Sequence, residues 1–228
     1  MRKRSKRYRA MLDKIGDPKT PRAWDEAVEL VKSVSGRKFN ESIDLVIRLN
    51  IDTRKADQQV RGSFSLPHGT GKTVRVIAFT DDADKMQACL EAGADKAGGE
   101  ELVTEVQDGF LDFDVAIATP KMMRLVGRLG RVLGPRGLMP APKSGTVTDD
   151  IVTAVSEFRA GKIEYRADSA GNVHVRVGTI EFDKERLVEN AQALFRHLTD
   201  NRPAAVKGDF IAGVSLSSTM GPGIRVAV

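Results

Sequence analysis

Leu66-Pro67-His68-Gly69-Thr70-Gly71-Lys72-Thr73 separates two different sequence patterns, and its reading decides the fold. It resembles a phosphate-binding loop at first sight, but that motif needs a Gly five residues before Gly71, and the position is Leu66. The next run, Val74 to Phe79, reads as a strand, whereas phosphate binding requires a helix N-terminus there. Pro67 with Gly69 and Gly71 instead marks a chain crossing between domains.

Before the crossing, Thr20-Pro21 reads as an N-cap and first helical residue, and Trp24, Ala27, Val28, Val31 and Val34 recur at helical spacing up to Gly36. Ile43, Leu45, Ile47, Leu49 and Ile51 then alternate with Asp44, Arg48 and Asn50, which predicts a strand with one buried and one wet face. Lys38-Phe39 lies in the polar connection ahead of that strand. By pattern alone Phe39 fits a core plug as well as a ring stacked on a nucleotide.

After the crossing, apolar runs alternate with helices. Val74 to Phe79 is followed by a helix capped at Asp81 or Asp82 and ended by Gly93; Glu100 to Val106 reads as a short helix. Val115 to Ala118 is a second buried run, Met122 to Leu129 a further helix, and Asp149-Asp150 opens a last helix through Phe158 that stops at Gly161. Continuous apolar strands between helices predict a parallel sheet covered on both faces, hence a doubly wound, Rossmann-like α/β domain. The series Gly127, Gly130, Gly134, Gly137 lacks the dinucleotide spacing, so no cofactor is implied. Asp112 and Asp114 read as solvated turn residues, since no His or second partner for acid/base work stands beside them.

Gly161 is the return crossing. Lys162 to Arg166 and Val173 to Val177 alternate on either side of Asp168-Ser-Ala-Gly171, the mark of a β-hairpin. His174 shares a face with Arg176, open equally to RNA contact and to a plain surface role. Asp183 caps a helix whose apolar stripe runs Leu187, Val188, Ala191, Leu194, Phe195, Leu198. Ile211, Val214 and Leu216 form a strand that leads into Ser217-Ser218-Thr219-Met220-Gly221-Pro222-Gly223. Three adjacent hydroxyls can bond phosphate or ribose oxygens, and two glycines let another backbone come close; the loop fits a partnerless glycine turn equally well. The expected layout is an α+β discontinuous RNA-binding domain, residues 1–68 and 161–228, with an inserted α/β domain, residues 69–160, joined through two crossings able to act as a hinge.

The net charge of +5 over 228 residues hides an asymmetry. Residues 1–68 carry 16 basic and 9 acidic side chains, residues 69–160 carry 11 and 14, and residues 161–228 carry 9 and 8. If the two ends fold together, theirs is the domain that binds a polyanion. The run Arg2 to Arg9, with Arg4, Lys6 and Arg7 around Tyr8, suits a helix lying along phosphates as well as a frayed basic terminus. The single cysteine, Cys89, excludes an internal disulfide and reads as a buried helix residue, which points to a reducing compartment. No apolar run has membrane-spanning length and the start lacks a secretory core, so a cytoplasmic protein without membrane contact is expected.

The stretch Gly130 to Gly145 holds four glycines, three prolines and only basic charges; no Asp or Glu occurs between Asp114 and Asp149. Within it, Leu133-Gly-Pro-Arg-Gly-Leu-Met-Pro140, Pro142-Lys143 and Gly145-Thr-Val147 resemble the signature of the L-one family of large-subunit ribosomal proteins. Lys6-Arg7-Tyr8, Lys38-Phe39, Asp57-Gln58, Val60-Arg61-Gly62, Leu66-Pro67-His68-Gly69, Phe113-Asp114 and Thr219-Met220-Gly221 extend the resemblance over nearly the whole chain. Ala141, Asn50 and Thr53 depart from it and bear only on loop detail. The resemblance implies a non-enzymatic protein, a monomer when free, that binds 23S rRNA at the mobile stalk, moves with exit-site tRNA release and represses its own operon mRNA. It implies RNA contacts at Phe39 and at Thr219, Met220 and Gly221, to which Arg4, Lys6, Arg7, Lys38, Arg54, Arg166, His174, Ser217 and Ser218 are added as candidates. No metal or cofactor is expected. The competing reading, a Rossmann-like enzyme for a phosphorylated ligand, lacks both a phosphate-binding helix start and a convergent acid/base pair.

Overall fold

In the computed structural model, which describes residues 5–36 and 39–228, the chain opens with helices α1 (Lys6–Ile15) and α2 (Trp24–Val34) and strands β1 (Ser42–Leu49) and β2 (Arg61–Ser65). It continues through β3 (Val76–Phe79), α3 (Ala83–Glu91), β4 (Lys96–Gly98), α4 (Glu100–Gln107) and β5 (Val115–Ala118). Then come α5 (Met123–Val126), α6 (Gly130–Leu133) and α7 (Ile151–Ala160). The remainder is β6 (Lys162–Arg166), β7 (Asn172–Thr179), α8 (Lys184–Asp200), β8 (Ile211–Ser218) and β9 (Ile224–Val226). One antiparallel sheet, one parallel sheet and a two-stranded pair β2-β6 make the fold mixed α/β.

The chain gathers into two units. The first takes residues up to Val60, Leu66–Gly71 and Tyr165–Val228; the second takes Arg61–Ser65 and Lys72–Glu164. The first unit is built on an antiparallel sheet of order β7-β1-β8-β9. Ile43, Leu45, Ile47 and Leu49 of β1, Val173, Val175 and Val177 of β7, and Val214 and Leu216 of β8 are buried. Two helices add buried side chains to that core, α2 through Ala27, Val28, Val31 and Val34, and α8 through Leu187, Ala191, Leu194 and Leu198. Trp24 meets Phe195 edge-on at 5.8 Å between ring centroids, which joins the two helices. Thr20-Pro21 does not start α2: Asp17 takes the Thr20 hydroxyl and the Lys19 N–H into a turn, and Ala23 stands at the N-cap without a side-chain bond. Asp183 occupies the N-cap of α8 but likewise makes no side-chain capping bond.

The expected hairpin does not form. β6 pairs with β2, β7 pairs with β1, and only a single bridge, Ala167 to Val173, joins the flanks of the Asp168–Gly171 turn. The difference is one of burial. Three valines of β7 need the large sheet to cover them, whereas β6 buries Tyr165 alone among its five residues and gains as much from a two-stranded pair. Asp168 still shapes the turn, accepting from the Ala170 and Asn172 N–H groups.

The second unit holds the parallel sheet β4-β3-β5. Ile77, Phe79, Ala116 and Ala118 face α4 and the α5–α6 segment; Val76, Ala78 and Ile117 face α3 and α7, where Cys89 is buried. Both faces are covered, as the apolar runs predict. Strand β4 carries no such run and no buried residue, so no periodicity announced it. Asp82 and Asp150 cap α3 and α7 by accepting from the Asp84 and Thr153 N–H groups, and Gly161, at φ +116, closes α7. The helix expected from Met122 to Leu129 is instead α5, a 3-10 turn at Gly127–Leu129 and then α6. Glycine at 127 and 130 weakens the continuous helix, while Met122, Val126, Leu129 and Leu133 stay buried on one side.

The divisions between units fall away from 68/69 and 160/161. Leu66–Gly71 belongs with the first unit because buried Asn190 of α8 accepts from the His68 N–H and donates to the Gly69 carbonyl. Gly71 is also fitted there, at φ +72, with Phe182 only 2.6 Å from where a Cβ would stand. β2 and Lys162–Glu164 belong with the second unit, tied by the Arg61–Glu164 ion pair at 2.7 Å. Asp112 and Asp114 are not merely solvated: Asp114 accepts from Lys72 Nζ at 2.8 Å and the Arg75 N–H at 3.2 Å, and Arg75 also pairs with Asp112. Partial burial pushes the Asp114 carboxyl up, but those bonds outweigh it and hold the group below the ordinary carboxylate value.

Candidate nucleic-acid interface

β1 begins with a carboxylate in the wrong place for a surface charge. Glu41 precedes the strand, in phase with Ile43, Leu45 and Ile47, and its side chain is fully buried. A buried carboxylate survives only with donors around it. Gly36 N–H donates to Oε1 at 3.3 Å from the end of α2, Met220 N–H donates to Oε2 at 3.2 Å from the loop after β8, and the Arg7 guanidinium of α1 stands 3.9 Å from Oε1. One side chain thus ties together three segments far apart in sequence.

The neighbouring residue repeats the link. Ser42 N–H donates to Thr219 Oγ1 at 3.0 Å, the two hydroxyls are 3.0 Å apart, and Thr219 N–H donates to the Ser42 carbonyl at 3.1 Å. Gly221 N–H donates to the Ser218 carbonyl, and a Cβ at Gly221 would lie 2.5 Å from Ser218 Oγ, so a larger residue would have to push that buried hydroxyl aside. The loop is therefore held in shape from within. Phe39 and Met220, on the two chain segments that meet here, are left 52% and 47% exposed. Phe39 is three residues from Ser42, hence within about 10 Å of it along the chain.

The polar face of the antiparallel sheet extends from this end. Register aligns Arg176, Asp44 and Ser217 in one row and His174, Val46, Ser215 and Arg225 in the next. Burial raises the Asp44 carboxyl above its ordinary value, with Arg176, Ser42 and His174 pulling it back. His174 is exposed, with Nε2 3.5 Å from Asp168 Oδ2.

The sequence-predicted residues separate into three groups. Arg7, Phe39, Ser217, Thr219, Met220 and Gly221 come together at the N-terminal end of β1, with Lys6 exposed beside Arg7 on α1 and His174 on the adjoining sheet face. Arg54 and Arg166 are exposed but belong to the opposite end, where Thr53 Oγ1 donates to the Ser169 carbonyl. β1, at about 3.3 Å per residue, separates the two ends by roughly 25 Å. Arg4 and Lys38 lie outside the described residues. Two expectations are corrected: the Ser218 hydroxyl is buried and has no hydrogen-bond partner among the described residues, and that of Thr219 is engaged by Ser42, so three free hydroxyls are not presented. Glu41, Ser42, Asp44, Arg176 and Arg225 were missed. Glu41 had a readable signal, a charge in phase with the buried positions of a strand; the others depend on register.

The second unit has an open cleft of about 950 Å³ at the C-terminal ends of its parallel strands, lined by Gly98, Gly99, Glu100, Lys121 and Arg124 among others. Ligands of doubly wound enzymes bind in such a place. Among the described residues no group of His, Cys, Asp or Glu is arranged to hold a metal, and no helix is long and apolar enough to cross a membrane.

A family model described as the ribosomal protein L1p/L10e family matches residues 31–222, which span the Glu41 carboxylate, the polar sheet face and the loop to Gly221. The chain belongs to this family. It is 51% identical over 227 residues to the large ribosomal subunit protein uL1 of Thermosipho melanesiensis, and 50% identical to that of Thermosipho africanus, covering 99% of this chain and 97% of each relative. The family is one of ribosomal proteins and not of enzymes, and the cleft in the second unit is accordingly no active site.

Proposed function

We propose that this chain is a constituent of the large ribosomal subunit that grips a folded stem of 23S rRNA at the mobile stalk through the first unit. The observation that carries the reading is that Phe39, two residues before the buried Glu41, and Met220, whose N–H that carboxylate accepts, are both left about half exposed. Two exposed apolar groups on a rigid polar platform suit stacking and packing against nucleotides splayed from a folded RNA. Arg7, Lys6, Arg176, His174 and Arg225 supply phosphate and ribose contacts around them. The Thr219 hydroxyl and the bare Cα of Gly221 contribute by fixing the shape of the loop.

In this reading residues 1–68 and 161–228 form the RNA-binding domain and 69–160 an inserted one, with the crossings placed more closely at the unit divisions described above. The protein acts in the cytoplasm, is monomeric when free, moves with the stalk as exit-site tRNA leaves, and represses its own operon by binding an mRNA that copies the rRNA site. The family relationship supports these roles.

The test is a titration of an rRNA stem-loop fragment. Phe39→Ala is expected to lose about 1 to 3 kcal/mol of binding with an unchanged melting temperature, since the ring is half exposed. Thr219→Ala is expected to weaken binding and also to lower the melting temperature, because Ser42 loses its partner. Full affinity in both variants would remove the assignment.

A further inference from the structure

Charge in the second unit is divided in an uneven way. Of its thirteen Lys and Arg side chains, seven make ion pairs or hydrogen bonds to carboxylates or carbonyls. The six with no such partner among the described residues are Lys121, Arg124, Arg128, Arg131, Arg136 and Lys143, and all six are exposed. They fall in one segment that contains no acidic residue. Because Met122, Val126, Leu129 and Leu133 take its buried side, Lys121, Arg124, Arg128 and Arg131 recur every three or four residues on the other. At 1.5 Å per residue they form a ridge about 15 Å long.

The glycines in this ridge are a second, separate observation. Gly127 and Gly130 have helical φ of −55° and −54°, where Ala would be the more stable residue. A Cβ at either would meet nothing within 4 Å. No neighbouring atom of the fold requires bare backbone at these two positions, whereas a ligand that comes close to the surface does.

The ligand class is set by the surroundings of the charges. No large apolar side chain is exposed in the segment, so it lacks the apolar centre of a protein interface and the wedge of a membrane-surface helix. Asp81, Glu100 and Glu101 stand with Lys121, Arg124 and Arg128 around the cleft, so the stretch from Arg128 to Arg136 is the more attractive to an anion. We propose that this arginine ridge with its glycine floor is a second RNA-docking surface, which holds the phosphodiester backbone of structured RNA by charge and close approach without reading bases. It shares no residue with the Phe39–Met220 site and stands or falls separately.

The experiment titrates the full-length protein with a blunt RNA duplex of unrelated sequence and, in a parallel arm, with the rRNA stem-loop fragment. Combined Arg128→Gln, Arg131→Gln and Arg136→Gln should weaken duplex binding about tenfold or more and make its log–log salt slope shallower by about 2 to 3, while the stem-loop affinity holds. Combined Gly127→Ala and Gly130→Ala keeps every charge and every contact of the fold. It should melt no lower than the parent yet bind the duplex several-fold more weakly, and it decides the matter if the glutamine variant folds poorly. Duplex affinity and slope unchanged in the folded variants would overturn the proposal, as would polyglutamate binding the parent as tightly as the duplex does. Loss of stem-loop binding in Phe39→Ala leaves this surface untouched, so failure of the one reading is distinguishable from failure of the other.

Discussion

The Glu41 platform and the arginine ridge are polar surfaces made in opposite ways. Around Glu41 the polar groups are turned inward and bonded to one another, and what faces solvent is a shape with Phe39 and Met220 on it. Along the ridge the charged groups have no partner among the described residues, and what faces solvent is charge. A bonded platform is costly to disturb and can be specific; free cations are cheap to replace and bind any phosphate backbone. Mutations of the bonded groups in the first should therefore couple folding to binding, and mutations in the second should leave folding alone.

The strongest test of that contrast is Glu41→Ala. It leaves the Gly36 and Met220 N–H groups and the Arg7 guanidinium without their carboxylate, and urea denaturation should register a loss of about 3 kcal/mol together with loss of stem-loop binding. Stability within a few tenths of the parent would break the comparison. Gly221→Ala comes next: its methyl meets Ser218 Oγ, and the expected cost is about 2 kcal/mol with a matching fall in affinity.

Asp114→Asn sharpens the other side, because Asp114 engages Lys72 and Arg75, two of the paired cations of the second unit. Its folded carboxyl lies below the ordinary 3.8, so the stability it contributes is present above that value and is lost as pH falls through the folded one. Thermal melts should show a deficit of about 1 kcal/mol for the variant at pH 7, discounted for exposure, that closes in strong acid. A deficit independent of pH would mean that the ion pairs are not its cause. The smallest effect expected is a gain: Gly127→Ala should raise stability by about 0.5 kcal/mol, since helical backbone there tolerates a methyl.

Much of this was readable from residues. Alternation at Ile43–Leu49 placed a half-buried strand, Asp82, Asp150 and Gly161 marked helix ends by their own chemistry, and the uninterrupted acid-free segment announced the ridge. Strand β4 was missed because Lys96-Ala-Gly98 has neither period nor bulk, and the Ser218 hydroxyl was misplaced because side-chain period does not tell a bonded hydroxyl from a buried one. The Thr20-Pro21 start failed because a cap motif competes with the Asp17 turn beside it.

What the chain determined by itself was local: which face of each strand or helix is apolar, where helices stop, and where charge of one sign collects. Partnership came from the tertiary structure. β6 chose β2 over its neighbour β7, and Glu41 drew the loop after β8 to the start of β1, because burying three valines and satisfying one carboxylate depend on surfaces and donors supplied from elsewhere in the chain.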